Sequence, residues 1–102
     1  MIGVVLNDKD SAMKNAVFFY VPFSSSEQAM VLCKALLEQR LIGCANIMPI
    51  QSVFRWHGSM TTESEVVAII KTVSSLVLIV KEEIGRRHPY AVPCIAHVTV
   101  QV

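Results

Sequence analysis

The tightest constraint on this chain lies between residues 44 and 73. Two extended runs, CANIMPIQSVFRWHG (44–58) and VVAIIKTV (66–73), flank the polar stretch GSMTTESE (58–65). Within the first run, Phe54 and Trp56 alternate with Val53, Arg55 and His57, the period of two that divides a strand between two environments. The second run is continuously apolar, as in a buried strand, so the pair predicts a hairpin of 50–57 on 66–73 with the polar stretch as its turn. Pro49 interrupts what would otherwise be one long strand. It predicts a bulge or an edge position, with two strand segments joined by a bend.

The rest of the chain completes a pattern around that hairpin. AVFFYVPF (16–23) is aromatic and β-branched, suiting a central strand with Pro22 at its exit. Ser24 and Glu27 match a capping box, and positions 29, 32, 33, 36 and 37 repeat at helical spacing up to Gly43. SSLVLIVKEEIGRRHP admits a strand at Leu76 to Val80 hairpinned on 66–73, but Ser74 and Ser75 lack the Gly or Asn of a tight turn. The favoured reading is a second helix capped by Ser74 or Ser75, with Leu76, Val77, Val80 and Ile84 on one face and Pro89 ending it. VPCIAHVTVQV then closes the chain as a strand. Strand, helix, hairpin, helix, strand is the split βαβ order of a ferredoxin-like α+β sandwich, an antiparallel sheet with two helices on one face. Residues 1–15 lack periodicity and read as an arm with a short strand at Val4 to Leu6, leaving 16–102 as a single domain.

Composition decides what covers such a domain. Of 102 residues, 53% are hydrophobic and 17% charged, against about 25% charged in an ordinary soluble domain. Too few charges remain to coat a small monomer, which predicts a homo-oligomer. The net charge is +1, and the densest basic cluster is Arg86 and Arg87 beside His88, too small for a surface that tracks phosphates. Nucleic acid is not an expected partner. No apolar run approaches the roughly 18 residues of a membrane span, and Asp8 and Asp10 interrupt the start, so the expectation is a cytoplasmic, unexported chain with no membrane partner. Cys33, Cys44 and Cys94 are odd in number and widely spaced, as free thiols in a reducing compartment.

Three blocks carry a resemblance: GCANIMPIQSVFRWHG, IIKT at 69–72 and RHPYAVPCI at 87–95. In this order and spacing they resemble the signature blocks of the CutA family, the divalent-cation tolerance proteins, over roughly residues 16 to 100. The resemblance implies a ferredoxin-like fold, a tight homotrimer similar to the PII signalling proteins, and an association with copper binding and metal tolerance. It also carries departures. Ala91 and Cys94 stand where the family usually has glutamates, and the family commonly continues past its last long strand into a terminal helix, where this chain stops at Val102.

The candidate residues follow from both lines. Cys44 and His57 are thirteen residues apart, roughly 40 Å in an extended strand, so they are not a ligand pair within one subunit. By resemblance, Trp56, Lys71 and Tyr90 map near clefts between subunits, with Glu65 a neighbour. One cation, one phenol and one indole suit a small anionic ligand. The bland alternatives are an aromatic seam for Trp56 and a solvent-reaching stem for Lys71. For metal the candidates are Cys44, His88 and Cys94, thiolate favouring copper(I) and imidazole copper(II) or zinc, whereas Cys33 falls in the helix stripe as a buried thiol. His88 at a helix end also suits the helix dipole. No nucleophile has a base at recognisable spacing, which argues against an enzyme. The expected functions are a metal-binding trimer, a sensor of small anionic metabolites, or a scaffold without ligand.

Overall fold

A computed structural model describes residues 15–101. In chain order the elements are strand β1 (Ala16–Phe23), helix α1 (Ser26–Glu38), strands β2 (Cys44–Trp56) and β3 (Ser59–Val73), a 3-10 turn at Ser74–Leu76, helix α2 (Val77–Arg87) and strand β4 (Ala96–Val100). The sheet order is β2-β3-β1-β4 with antiparallel neighbours throughout. This is the expected α+β arrangement. The strand expected at Val4 to Leu6 lies outside the described residues. Asn15 is described, and its N–H donates to Ser74 Oγ (3.2 Å) while its carbonyl accepts from the Ser74 N–H (2.9 Å).

β1 is the central strand because alternate side chains serve two faces. Val17, Phe19, Val21 and Phe23 are buried against the helices, joined by Ala68 and Ile70 of β3, Ala29, Leu32, Cys33 and Leu36 of α1, and Val80 and Ile84 of α2. Pro22 fits inside this strand because the ladder to β4 ends at Tyr20, so its missing N–H forfeits no bond there. α1 is capped one residue later than expected. The Ser25 hydroxyl accepts from the Gln28 N–H, and Ser24 instead donates to Gln28 Oε1 (2.7 Å).

The first helix also stops short of Gly43. Arg40 adopts a left-handed φ of 59°, its N–H reaches the Leu37 carbonyl, and the Leu41 N–H reaches the Leu36 carbonyl, each at 3.0 Å. These are the two bonds of a Schellman ending, closed here by arginine in place of glycine. α2 forms as expected over its buried Val80 and Ile84, but neither serine caps it through a side chain; the Ser74 hydroxyl is engaged by Asn15. Gly85 lies within α2, and a Cβ there would meet Ile95 Cδ1 at 3.8 Å, an ordinary contact. Gly85→Ala is therefore expected to raise stability by about 0.5–1 kcal/mol, read from the midpoint of urea unfolding.

The hairpin differs most from expectation. β2 is one continuous strand without a bulge, running from Cys44↔Lys71 to Trp56↔Ser59 in unbroken register. Pro49 is accommodated by the other expected route, since β2 is an edge strand and only one of its sides joins a ladder. The polar stretch 59–65 is strand, not turn. The turn is His57-Gly58 alone, with φ values of 50° and 81°, the two left-handed positions of a type I′ connection. β1 ends at Phe23↔Val66, so residues 50–65 continue beyond the sheet as a two-stranded arm, and the molecule measures 51 × 25 × 22 Å.

Both helices lie on one face of the sheet. The other face is open and apolar: Phe18 and Ile69 are half-buried, and Tyr20, Met48 and Val98 are exposed. A groove of about 290 Å³ runs over Phe18, Tyr20, Ile69, Ala96 and Val98.

Candidate functional site

A connected polar constellation sits where the arm leaves the sheet. His88 caps the C-terminus of α2 and is 7% exposed, its ring stacked on Phe23 with centroids 4.4 Å apart. Its Nε2 lies 2.8 Å from the Pro22 carbonyl, which only accepts, so Nε2 carries the proton. Its Nδ1 accepts the Tyr90 N–H at 3.1 Å, so the ring is the neutral tautomer with both nitrogens engaged. The Tyr90 ring meets His88 edge-on at 4.7 Å, and its hydroxyl donates to Glu65 Oε2 at 3.1 Å. Burial raises the Tyr90 hydroxyl above its ordinary range, the bond to Glu65 and that carboxylate's charge raise it further, and Glu63 adds to this while a hydrogen bond with Ser24 opposes it. Of the residues expected in a ligand cleft, Glu65 and Tyr90 are thus brought together.

Trp56 and Lys71 are not brought to that pair within one chain. Lys71, Glu65, Ser59 and Trp56 fall on one face, because β3 alternates and Trp56 pairs with Ser59. They are spaced along it: six residues separate Lys71 from Glu65 and six more reach Ser59, each step roughly 20 Å. Lys71 is nearly buried, with Nζ 5.4 Å from the Phe18 ring centroid. Trp56 is exposed at the tip, beside His57 and over a hollow of about 270 Å³ shared with Phe54, Thr61 and Glu63.

The metal candidates are also apart. Cys44 is half-buried on the open face, paired across the ladder with Lys71. Cys94 is exposed in the segment before β4, at the other edge of the sheet, and three strand spacings or about 14 Å separate the β2 and β4 edges. Among the described residues no three His, Cys, Asp or Glu side chains gather where they could hold an ion. One chain therefore does not fit a closed metal site, and an ion at His88 would have to displace a hydrogen bond. Cys33 is buried in α1, and burial pushes its thiol up to about 11, which keeps it protonated at neutral pH.

Sequence reasoning missed Phe23, Pro22, Ser24 and Glu63 as parts of this constellation. Pro22 and His88 are 66 positions apart, and no local spacing signals their contact. Glu63 was hidden because its segment reads as a turn.

Comparison with known proteins agrees with this fold. The family model described as CutA1 divalent ion tolerance protein matches residues 17–102. The divalent-cation tolerance protein CutA of Archaeoglobus fulgidus is 37% identical over 84 residues, 82% of each chain, and that of Thermus thermophilus is 38% identical over 82 residues, 79% of this chain and 78% of its own. The crystal structure of the divalent ion tolerance protein CutA1 from Ehrlichia chaffeensis superposes with a TM-score of 0.84 at 34% identity, covering 88% of this chain and 85% of that one.

Proposed function

The chain belongs to the CutA1 divalent ion tolerance family, and from that premise we propose that it works as a homotrimer contributing to metal tolerance by taking copper, or a related ion, as cargo at Cys44 where subunits meet. The observation that carries this reading is the position of Cys44, half-buried on an open apolar sheet face that has too few charges to remain in water. One thiolate per chain does not complete a site for a hard divalent ion, whereas copper(I) accepts few, soft ligands. A neighbouring copy would have to supply the second donor. His88 and Cys94, at other places in the fold, are secondary candidates.

A small anionic ligand between subunits is the second reading. It is favoured by Trp56, Glu65 and Lys71 sharing one face, and a neighbouring chain would have to close the cleft. Glu63 and Glu65 beside Tyr90 make that end acidic, which opposes an anion.

Native mass spectrometry of protein purified without added metal tests assembly and any retained ligand together, and a mass of one subunit overturns the trimer. Copper(I) titration against a competing chelator tests the site. Cys44→Ser is expected to weaken binding by more than the roughly 10- to 100-fold that changes outside the first ligand sphere produce, while Cys33→Ser leaves it unchanged. Affinity should fall as pH drops, because the thiol must lose its proton to ligate. Equal affinity of Cys44→Ser and the parent removes Cys44 from the site and leaves the anion cleft as the better reading.

A further inference from the structure

We propose that the His88–Pro89–Tyr90 turn is a latch that fixes the base of the β2–β3 arm, with Tyr90 acting on the arm through Glu65 and His88 holding Tyr90 in place. The contacts form a closed circuit. β1 ends at Phe23, whose ladder partner is Val66. Glu65, the next residue along β3, is the first without a β1 partner, and there the Tyr90 hydroxyl takes hold at 3.1 Å. Tyr90 returns to β1 through His88, which accepts its N–H, donates to the Pro22 carbonyl and lies flat on Phe23.

Beyond this point the arm is a two-stranded ribbon, a structure that is marginal alone in water. Its internal support includes the ladder and the Gln51–Ser64 side-chain bond (2.9 Å). Neither fixes the direction in which the ribbon leaves the sheet. The latch does, because it joins the first β3 residue beyond the β1 ladder to the ends of both β1 and α2. His88 is suited to the task by having one donor and one acceptor nitrogen, both used, in a nearly buried position where its ring has little room to rotate. Tyr90 and His88 are positioning residues here, and the role holds whether or not the chain assembles or takes up metal.

Hydrogen exchange by mass spectrometry on the full chain tests this, with sedimentation of the same samples reporting assembly separately. Tyr90→Phe keeps the ring and removes the hydroxyl. Exchange in 50–53 and 62–65 is expected to speed up roughly five- to tenfold, as for loss of one ordinary intramolecular hydrogen bond, with 17–21 and 68–72 unchanged. Glu65→Gln retains a carbonyl acceptor and is expected to stay near the parent, whereas Glu65→Leu should behave as Tyr90→Phe does. Unchanged exchange in the arm of Tyr90→Phe overturns the latch, as does a uniform increase through β1 and β3, which would mark general loosening. A monomeric parent with the local effect intact would count against the trimer alone.

Discussion

Tyr20→Lys is expected to give a chain that keeps its sheet and sediments as a monomer. Tyr20 is 43% exposed at the centre of the open face, with Ile69 and Ala96 beside it on the neighbouring strands. In the separate chain a lysine there extends into water and its stem still covers apolar surface, so the fold should lose little. In an assembly that closes this face, the ammonium would be enclosed near Phe18 and Val98, with Lys71 of the same sign on the adjoining strand. An uncompensated buried charge costs several kcal/mol per subunit, and a trimer incurs it three times. Sedimentation measures the mass and far-ultraviolet circular dichroism the sheet. A trimer persisting in this variant would mean that subunits meet on some other surface.

Phe23→Ala should lower unfolding free energy by about 3–5 kcal/mol, the range for removing a large aromatic side chain from a packed interior. Phe23 has no exposed surface, lies in the core cluster, and carries the His88 ring. Its loss leaves a void and admits water to the bonds His88 makes with Pro22 and Tyr90, so the latch should loosen with the core. Urea unfolding at one fixed protein concentration measures the change, since assembly makes stability depend on concentration. A loss below about 1.5 kcal/mol would mean that the site collapses readily around the smaller residue, at odds with a core held by the stacked ring.

What the residues disclosed in advance depended on how many faces of an element are buried. The two helices each bury one face, which a period of 3.6 marks, whereas β1, apolar on both faces, is marked by its aromatic and β-branched residues. Residues 59–65 bury little on either face, so SMTTESE offers strand propensity in its threonines but no apolar alternation, and polarity alone pointed to a loop. That error displaced the turn. Since a slip of one residue exchanges the faces of a strand, the shared face of Trp56, Glu65 and Lys71 became legible only once His57-Gly58 fixed the register. The early cap at Ser24 was wrong by one position because three consecutive serines offer equivalent hydroxyls. The family blocks were visible as residue strings, yet the work done by His88 was not, because its partner Pro22 is distant in sequence. Dispersal of Cys44, His88 and Cys94 was equally invisible, being a matter of which sheet edge each one occupies.

In the proposed homotrimer the arm would act on assembly as a lever acts on its far end. From Glu65 to the tip is six residues, about 20 Å, so a 10° error in direction at the base displaces Trp56 by about 3.5 Å. That is close to the width of an atom, enough to turn a fitted contact into a clash or a gap. Rings of identical subunits are unforgiving of such errors, because each contact repeats the same rotation and a rotation that does not close generates an open filament. If copies assemble as proposed, a hydroxyl and a carboxylate 3.1 Å apart at the fulcrum bear on whether the ring closes at three or goes on adding.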